Sequence, residues 1–346
     1  MMSSIARRLA PLGVSALVVL AVSACGSGAS SSTVPATLTI YNGQHEQTTE
    51  ALVQAFEHRT GITVNVRSDD ESALANQIVL EGSHSPADIF YSENSPALEF
   101  LGERGLLAPT DSSTLAAVAK QYNSPRGDWV GVSARSSVIV YNIDRVKAAD
   151  IPTSVMDLAD PRWKGLLGIA PGETDFQPIV TSVARAHGDA AALTWLKALK
   201  DNAGDHVYPD NETLTAQVNS GQIAIALINH YYWYRQRDES GAANMHSQIA
   251  YFQPHDPGYV IDVSGAGVLA SSHNQVAAQR FLAFMVSAAG EGIIAHDDSY
   301  EYPLGSGVAT ARALKPFNTL QPSPVTIAEL GDGAGAITLL QRAQLL

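Results

Sequence analysis

Apolar and polar residues alternate with two different periods along this chain, and the period changes repeatedly. Stretches with a period of two, such as 38–41, indicate strands, whereas Leu52, Val53 and Phe56 recur at helical spacing. Glycines and an Asn-Gly pair separate these stretches. The first part of the pattern predicts a strand at 38–41, a helix at 47–59, a strand at 62–66, a helix at 71–81 and a strand at 87–91.

The alternation continues towards the C-terminus, with strands predicted at 129–132, 137–141, 166–170 and 223–227, helices at 176–187 and 190–200, a turn at 254–258 and an extended segment at 259–263. This order indicates βαβ units, an α/β fold with mostly parallel sheets. The chain has 346 residues, which is enough for two lobes with separate cores. Segments near 135–141 and 259–268 are natural crossings between them. The predicted lobes are therefore 37–136 plus 262–310, and 137–261 plus 311–346.

The first 24 residues have the features of a secretory signal. Arg7 and Arg8 form a basic start, an apolar run follows over 11–24, and no acidic residue precedes Cys25. Residues 22–25 read Val-Ser-Ala-Cys, which fits the bacterial lipobox and predicts a lipid on Cys25. Cys25 is the single cysteine of the sequence, so an internal disulfide is excluded; a stray thiol is the alternative. Residues 25–36 are rich in glycine and serine and predict a flexible tether.

The net charge of the chain limits the classes of molecule that it is suited to bind. Removing residues 1–24 takes away two arginines and no acid, so the net charge falls from −13 to −15. Such an acidic chain is a poor partner for nucleic acid or an anionic lipid surface and better suited to a cationic ligand. With the signal and lipobox, this predicts a secreted lipoprotein on the extracytoplasmic face of the cell membrane.

Candidate ligand-binding residues follow from a rule of open parallel sheets, which bind ligands beyond the carboxyl ends of their strands. Polar residues follow four of the predicted strands, at 42–45, 92–94, 172–175 and 229–234. Tyr231 and Tyr232 are adjacent, and neighbouring residues on a strand face opposite sides, so a shared target requires a loop or a helix start. Phenolate needs a strong Lewis acid to stay deprotonated at neutral pH, which favours Fe³⁺. Aromatic packing or a sugar platform stays open as the alternative.

An enzyme is a second alternative, with His45 and Glu93 as an acid–base pair. The sequence has no Gly-x-Ser-x-Gly, His-Glu-x-x-His or phosphate-loop motif. His45-Glu46 is followed by Gln-Thr-Thr, which lacks the zinc protease spacing. We therefore expect a binding protein and not an enzyme.

Four longer motifs closely resemble the bacterial ferric-ion-binding proteins, in matching order and spacing from about residue 37 to the C-terminus. These are Tyr-Asn-Gly-Gln-His at 41–45, Ser-Pro-Ala-Asp-Ile-Phe-Tyr-Ser-Glu at 85–93, Leu-Ile-Asn-His-Tyr-Tyr-Trp at 227–233 and Glu-Tyr-Pro-Leu at 301–304. The family comprises substrate-binding components of iron(III) ABC importers. The resemblance implies a two-lobed type II periplasmic-binding-protein fold, with two mixed or parallel sheets flanked by helices and a ligand cleft between the lobes. It also implies a monomer that delivers ferric ion to a membrane permease.

The resemblance assigns the metal ligands to His45, Glu93, Tyr231 and Tyr232. One carboxylate and two phenolates balance the three charges of Fe³⁺, and a neutral histidine completes the set. For single residues the alternatives are a helix cap for His45, a surface acid for Glu93 and packing for the tyrosines. A same-fold protein that binds an oxyanion, a phosphonate or a ferric chelate is the alternative for the whole chain.

Neighbouring positions receive lesser roles. Trp233 and Tyr234 are expected to pack, and Arg135 to pair with an acid and steady the site. His230 is a weak candidate for an extra ligand, because it stands where the family commonly has asparagine.

Many family members complete the iron shell with a small anion at a helix N-terminus. The matching segment here carries Glu173, Thr174 and Asp175 in place of small donors, while Asn94, Asn211 and Asn229 keep the polar character of the anion site. Two explanations follow. Either Thr174 or Asp175 caps the next helix and Glu173 points to solvent, or Glu173 or Asp175 replaces the synergistic anion as an additional ligand.

Overall fold

The computed structural model describes residues 37–346. The predicted signal segment 1–24, the predicted lipidation at Cys25 and the predicted tether 25–36 lie outside the described residues. Within 37–346, no helix combines the length and the apolar character needed to cross a membrane.

The strands follow the predicted order. The strand predicted at 166–170 is reduced to two residues, and the ends of the others are longer or shifted. The strands are β1 (Thr37–Gly43), β2 (Thr63–Ser68), β3 (Ile89–Ser92), β4 (Val130–Asn142), β5 (Leu167–Gly168), β6 (Ile225–Asn229), β7 (Ser247–Ala250), β8 (Ile261–Val268) and β9 (Tyr302–Pro303).

The helices include all those that periodicity predicted. They are α1 (Glu46–Thr60), α2 (Glu71–Glu81), α3 (Ser95–Glu103), α4 (Ser112–Ala116), α5 (Phe176–His187), α6 (Asp189–Ala203), α7 (Asn211–Asn219), α8 (His230–Ser240), α9 (Gln275–Met285), α10 (Ala288–Ile294), α11 (Ile327–Leu330) and α12 (Ala334–Arg342).

The strands of residues 37–346 lie in the order β2-β1-β3-β8-β4-β6-β5, and β7 and β9 also pair with β4. β1 is parallel to β2 and β3, whereas β8 is antiparallel to β3 and β4. β4 is one strand of 13 buried residues, where the sequence predicted two separate strands at 129–132 and 137–141. Its first part pairs with β8 and its second part with β6 and β7, so a single strand joins the two groups of strands.

Two large hydrophobic cores lie on either side of this change of partner. One is built mainly from β1–β3, α1–α3, α9 and the first part of β4, and includes Phe56, Trp129 and Phe281. The other is built from α5, α6, β6, α12 and the second part of β4, and includes Trp195. The exact lobe boundaries given above stay a prediction.

Candidate metal site

The four predicted ligands lie where strands end. His45 follows β1, Glu93 follows β3, and Tyr231 and Tyr232 stand in the first turn of α8, directly after β6. The expected helix start for the adjacent tyrosines is therefore confirmed. His45 precedes α1 but makes no side-chain capping hydrogen bond, so the capping alternative is wrong.

The structure brings these four side chains together. The Tyr231 hydroxyl donates to Glu93 Oε1 at 2.9 Å, and His45 Nε2 lies 4.0 Å from the same oxygen. The rings of Tyr231 and Tyr232 are 4.0 Å apart between centroids. His45 Nε2 makes no hydrogen bond to any of the described residues. The site thus offers a free imidazole nitrogen, a carboxylate and two phenols.

Both phenols are protonated at neutral pH without a metal. Burial, reinforced by Glu93, raises the pKa of Tyr231 well above its usual value of 10. Burial and the neighbouring Asp175 do the same for the pKa of Tyr232. A cation that binds phenolate here must displace both protons, which a weak Lewis acid cannot do.

Arg135, on β4, is the central cation of the site and is fully buried. Its Nη2 lies 3.3 Å from Asp175 Oδ1 and 3.8 Å from Glu93 Oε1, and its Nη1 lies 3.5 Å from Glu301 Oε1. Burial alone would lower the pKa of Arg135, but these acids reverse the effect and raise it. The expected pairing with an acid is present, with three acids instead of one. Three carboxylates around one guanidinium leave an excess of negative charge for a bound cation.

The segment before α5 does not behave as a conventional helix cap. Asp175 stands at the N-cap position of α5, but its side chain makes no capping hydrogen bond. Instead, Asp175 Oδ2 accepts from the Tyr232 hydroxyl at 3.0 Å. The capping explanation for Asp175 is therefore wrong, and its carboxylate faces the candidate ligands. Burial raises the pKa of Asp175, although Arg135 opposes the shift.

Glu173 and Thr174 border the same space. Glu173 lines a cleft of about 450 Å³ together with His45 and Glu93. Burial and the nearby Asp175 raise the pKa of Glu173 to about 8. The expectation that Glu173 points to solvent is therefore wrong in part, since the residue is partly buried and borders the cleft.

The three asparagines of the predicted anion site are all buried. Asn94 Nδ2 donates to Thr174 Oγ1 at 3.1 Å, and Asn94 Oδ1 accepts from Arg135 Nη2 at 2.5 Å. Asn211 Nδ2 lies 3.5 Å from Asp175 Oδ2. Asn229 ends β6, and neither of its amide atoms has a hydrogen-bond partner among residues 37–346.

His230 is not available as a ligand, which corrects the weak expectation from the sequence. Its Nδ1 accepts the Ser136 backbone N–H at 3.2 Å, so its Nε2 carries the proton and donates to the Tyr300 carbonyl at 2.9 Å. Trp233 packs as expected, with its indole N–H donating to the Ser247 carbonyl.

Glu301 and Glu71 are among the buried acids near the site that were not predicted from the sequence. Glu301 begins the Glu-Tyr-Pro-Leu motif, and its side chain lies within 4.8 Å of the ligand atoms of His45 and Glu93. Glu71, in the first turn of α2, accepts hydrogen bonds from the Ser92 hydroxyl and the Asn94 backbone. Sequence order alone marks Glu71 as an ordinary first-turn helix acid. For Glu301, its place in the Glu-Tyr-Pro-Leu motif was the signal that could have marked it as part of the site.

Comparisons with known proteins bear on this arrangement. Residues 84–324 match the family model described as bacterial extracellular solute-binding protein. The chain belongs to this family. The Fe(3+)-binding periplasmic protein of Serratia marcescens is 38% identical over 339 residues, covering 98% of this chain and 99% of that protein. The major ferric iron-binding protein of Neisseria meningitidis serogroup A is 38% identical over 317 residues, covering 89% and 93%.

A solved structure gives the same result for this solute-binding protein. Iron-bound HitA from Pseudomonas aeruginosa superimposes with a TM-score of 0.85 at 42% identity, covering 89% of this chain and 99% of that one. The resemblance to ferric-ion-binding proteins and the two-lobed α/β fold are confirmed by these matches. The expectation of a binding protein and not an enzyme is confirmed by the same relatives. The family places the chain outside the cytoplasm.

Proposed function

We propose that this solute-binding protein carries one ferric ion, held by His45 Nε2, Glu93 and the phenolates of Tyr231 and Tyr232. The observation that carries the proposal is the meeting of two adjacent buried tyrosines with acids: the Tyr231 hydroxyl donates to Glu93 and the Tyr232 hydroxyl to Asp175. Once iron replaced the two phenolic protons, Glu93 and Asp175 would no longer accept these hydrogen bonds, and their oxygens would be free to face the ion. Relatives named for ferric iron binding, at 38% identity, support the same cargo.

Charge favours a bare cation over the alternative cargoes. The acids Glu93, Asp175 and Glu301 outnumber the single buried cation Arg135. An oxyanion or a phosphonate entering this space would meet carboxylates where it needs donors. Asp175, which accepts hydrogen bonds from Tyr232 and Arg135, supplies a negative oxygen of the protein's own. We therefore infer that Asp175 stands in for the synergistic anion and that the cargo is ferric ion without a chelate.

The proposed delivery of the ferric ion to a permease follows from the location of the protein outside the cytoplasm. A permease in the membrane is the partner that fits an extracellular solute-binding protein. A lipid on Cys25 and the 25–36 segment would keep a monomeric carrier close to such a permease. Metabolic labelling with a fatty acid tests this part, because a C25S variant would then lose both the label and its membrane association.

The iron proposal is tested by adding ferric nitrilotriacetate to the purified full chain. We expect one equivalent of bound iron and a visible tyrosinate-to-iron charge-transfer band. The band should weaken strongly in Y231F and in Y232F, since each variant removes one of the two phenolates. Y141F is the matched control, since Tyr141 is also buried but lies six positions beyond Arg135 along β4, where its hydroxyl donates to Gln248 Oε1 at 3.3 Å. A colourless wild-type protein with no bound iron would contradict the proposal.

A further inference from the structure

Glu301 is a buried carboxylate beside His45 and Glu93, and the four predicted ligands leave it without a role. Its side chain is 1% exposed, yet Oε1 lies 3.6 Å from His45 Nε2. The ligand atoms of His45, Glu93 and Glu301 all lie within 4.8 Å of one another. Two atoms bound to one metal at bond lengths of roughly 2.1 Å lie roughly 3 Å apart at right angles and roughly 4 Å apart when opposite. The three groups are therefore close to the spacing of a shared metal shell.

The two oxygens of Glu301 have different surroundings. Oε2 accepts a short hydrogen bond from the Ser133 hydroxyl and another from Gln44 Nε2 at 3.2 Å. Oε1 has only long contacts, 3.3 Å to Gln44 Nε2 and 3.5 Å to Arg135 Nη1. It faces His45 Nε2, which is itself without a partner among the described residues. A carboxylate with one anchored oxygen and one weakly held oxygen has the arrangement of a monodentate metal ligand, whose second oxygen is fixed by hydrogen bonds.

The backbone before Glu301 is held in an uncommon conformation. Tyr300 has a φ of 56°, in the left-handed region that a tyrosine rarely adopts. Its carbonyl accepts from His230 Nε2 at 2.9 Å, and its ring stacks on Tyr234 at 5.2 Å. His230 and Tyr234 both belong to α8, the helix that carries Tyr231 and Tyr232. The contacts that hold Tyr300 thus fix Glu301 relative to the two phenols.

We propose that Glu301 Oε1 is a fifth protein ligand of the bound ferric ion. This inference rests on the proposed function and extends its ligand set. With His45, Glu93, Tyr231 and Tyr232, the protein then supplies five donors, and Asp175 lies at the edge of the same shell. Arg135, which touches Glu93, Asp175 and Glu301, offsets one of the added negative charges.

The test compares the full chain with E301Q and with E291Q as a matched control. Glu291 is an equally buried acid that accepts the Gly305 backbone N–H and lies outside the group formed by His45, Glu93 and Glu301. Loss of a ligand should weaken ferric binding, measured by competition with nitrilotriacetate, by about 100-fold, the upper end of the effect of removing an outer partner. It should also shift the charge-transfer band to longer wavelength, because iron with one anionic donor fewer is a stronger electron acceptor. E291Q should change neither.

The outcomes separate the two proposals. Wild-type protein without iron or colour removes the proposed function, and this inference falls with it. Coloured wild type with the same band and affinity in E301Q overturns only the ligand role of Glu301. A weakened E301Q whose band does not move also overturns it, since Glu301 would then only position its neighbours. If E301Q does not fold, E301D answers the question, because the retracted carboxylate should give the same shift of the band.

Discussion

Asp175 is the residue at which this site departs most clearly from one built for a bound anion. Its carboxylate accepts a hydrogen bond from Tyr232 and lies 3.3 Å from Arg135 Nη2. A bound phosphate would need donors such as these, and Asp175 already occupies them. Burial raises the pKa of Asp175, and both Arg135 and a trivalent cation bound nearby oppose that shift by favouring the carboxylate. The negative charge that an external anion would bring is thus supplied by Asp175.

A D175A variant should therefore acquire a need for an external anion. We expect phosphate to leave ferric affinity of the wild-type protein nearly unchanged and to tighten that of D175A by about tenfold, equivalent to about 1.4 kcal/mol. Parallel titrations of anion-free protein with and without phosphate measure this. Strong tightening by phosphate in the wild type would mean that Asp175 does not replace the anion.

The first turn of α8 carries the two predicted ligands, Tyr231 and Tyr232, and also His230, which anchors the helix by hydrogen bonds. His230 begins the helix and is fully buried, with both ring nitrogens hydrogen-bonded to backbone groups. Its neutral ring is required, because a proton on Nδ1 would oppose the Ser136 N–H. Burial accordingly lowers the pKa of His230 to about 3. The folded protein thus takes up this proton less readily than the unfolded chain.

This predicts a loss of stability in acid that begins near pH 6.5 and continues as the pH falls towards 3. At pH 5 the contribution of His230 to the free energy of unfolding should have dropped by about 2 kcal/mol. In H230N, whose amide oxygen can still accept the Ser136 N–H, the drop between pH 7 and pH 5 should be smaller by that amount. Urea unfolding of the iron-free proteins at both pH values measures the difference. Equal drops would show that folding does not change the pKa of His230.

The end of β1 and the start of α2 approach each other closely. A Cβ on Gly43 would lie 2.5 Å from the Cβ of Glu71, which in turn holds Ser92 and Asn94 on either side of Glu93. G43A should lower the free energy of unfolding by about 1–3 kcal/mol, because α2 must move. It should also weaken ferric binding, since Glu93 would move with its neighbours. Denaturant unfolding and the iron titration of G43A measure both effects.

The control for this prediction is G292A. Gly292 lies in α10, and a Cβ there meets no heavy atom within 4 Å. Unfolding and iron binding of G292A should match or exceed those of the wild type. If G43A behaved in the same way, the approach of β1 to Glu71 would have no part in the site.

At the scale of elements, local periodicity was enough to predict α1, α2 and α5, and the adjacency of the two tyrosines was enough to place them in a loop or at a helix start. It failed at 133–136, where Ser-Ala-Arg-Ser reads as a polar break but is the middle of β4. Those side chains are buried by partners far along the chain; Ser133 and its partner Glu301 are 168 positions apart. Glu301 could not be predicted as part of the site for the same reason. Its role depends on which distant residues surround it and not on the pattern of its own segment.

For the whole molecule, the proposed site draws ligands from segments far apart in sequence. Only approach of these segments brings the donors to one point, so iron should favour the compact form of the protein. Small-angle X-ray scattering should show a smaller radius of gyration after ferric loading. The Y231F/Y232F double variant should show no change on adding iron. A decrease in the double variant as large as in the wild type would mean that compaction does not depend on the phenolates.

β4 also limits where the chain can be divided into fragments. Because its two ends pair with different strands, a cut within it would expose unpaired backbone in both groups of strands, a form prone to aggregation. Two fragments divided there would be poor candidates for reassembly. The short 3₁₀ helix Ala242–Asn244, exposed between α8 and β7, is the better place to open the chain when grafting a fluorescent reporter.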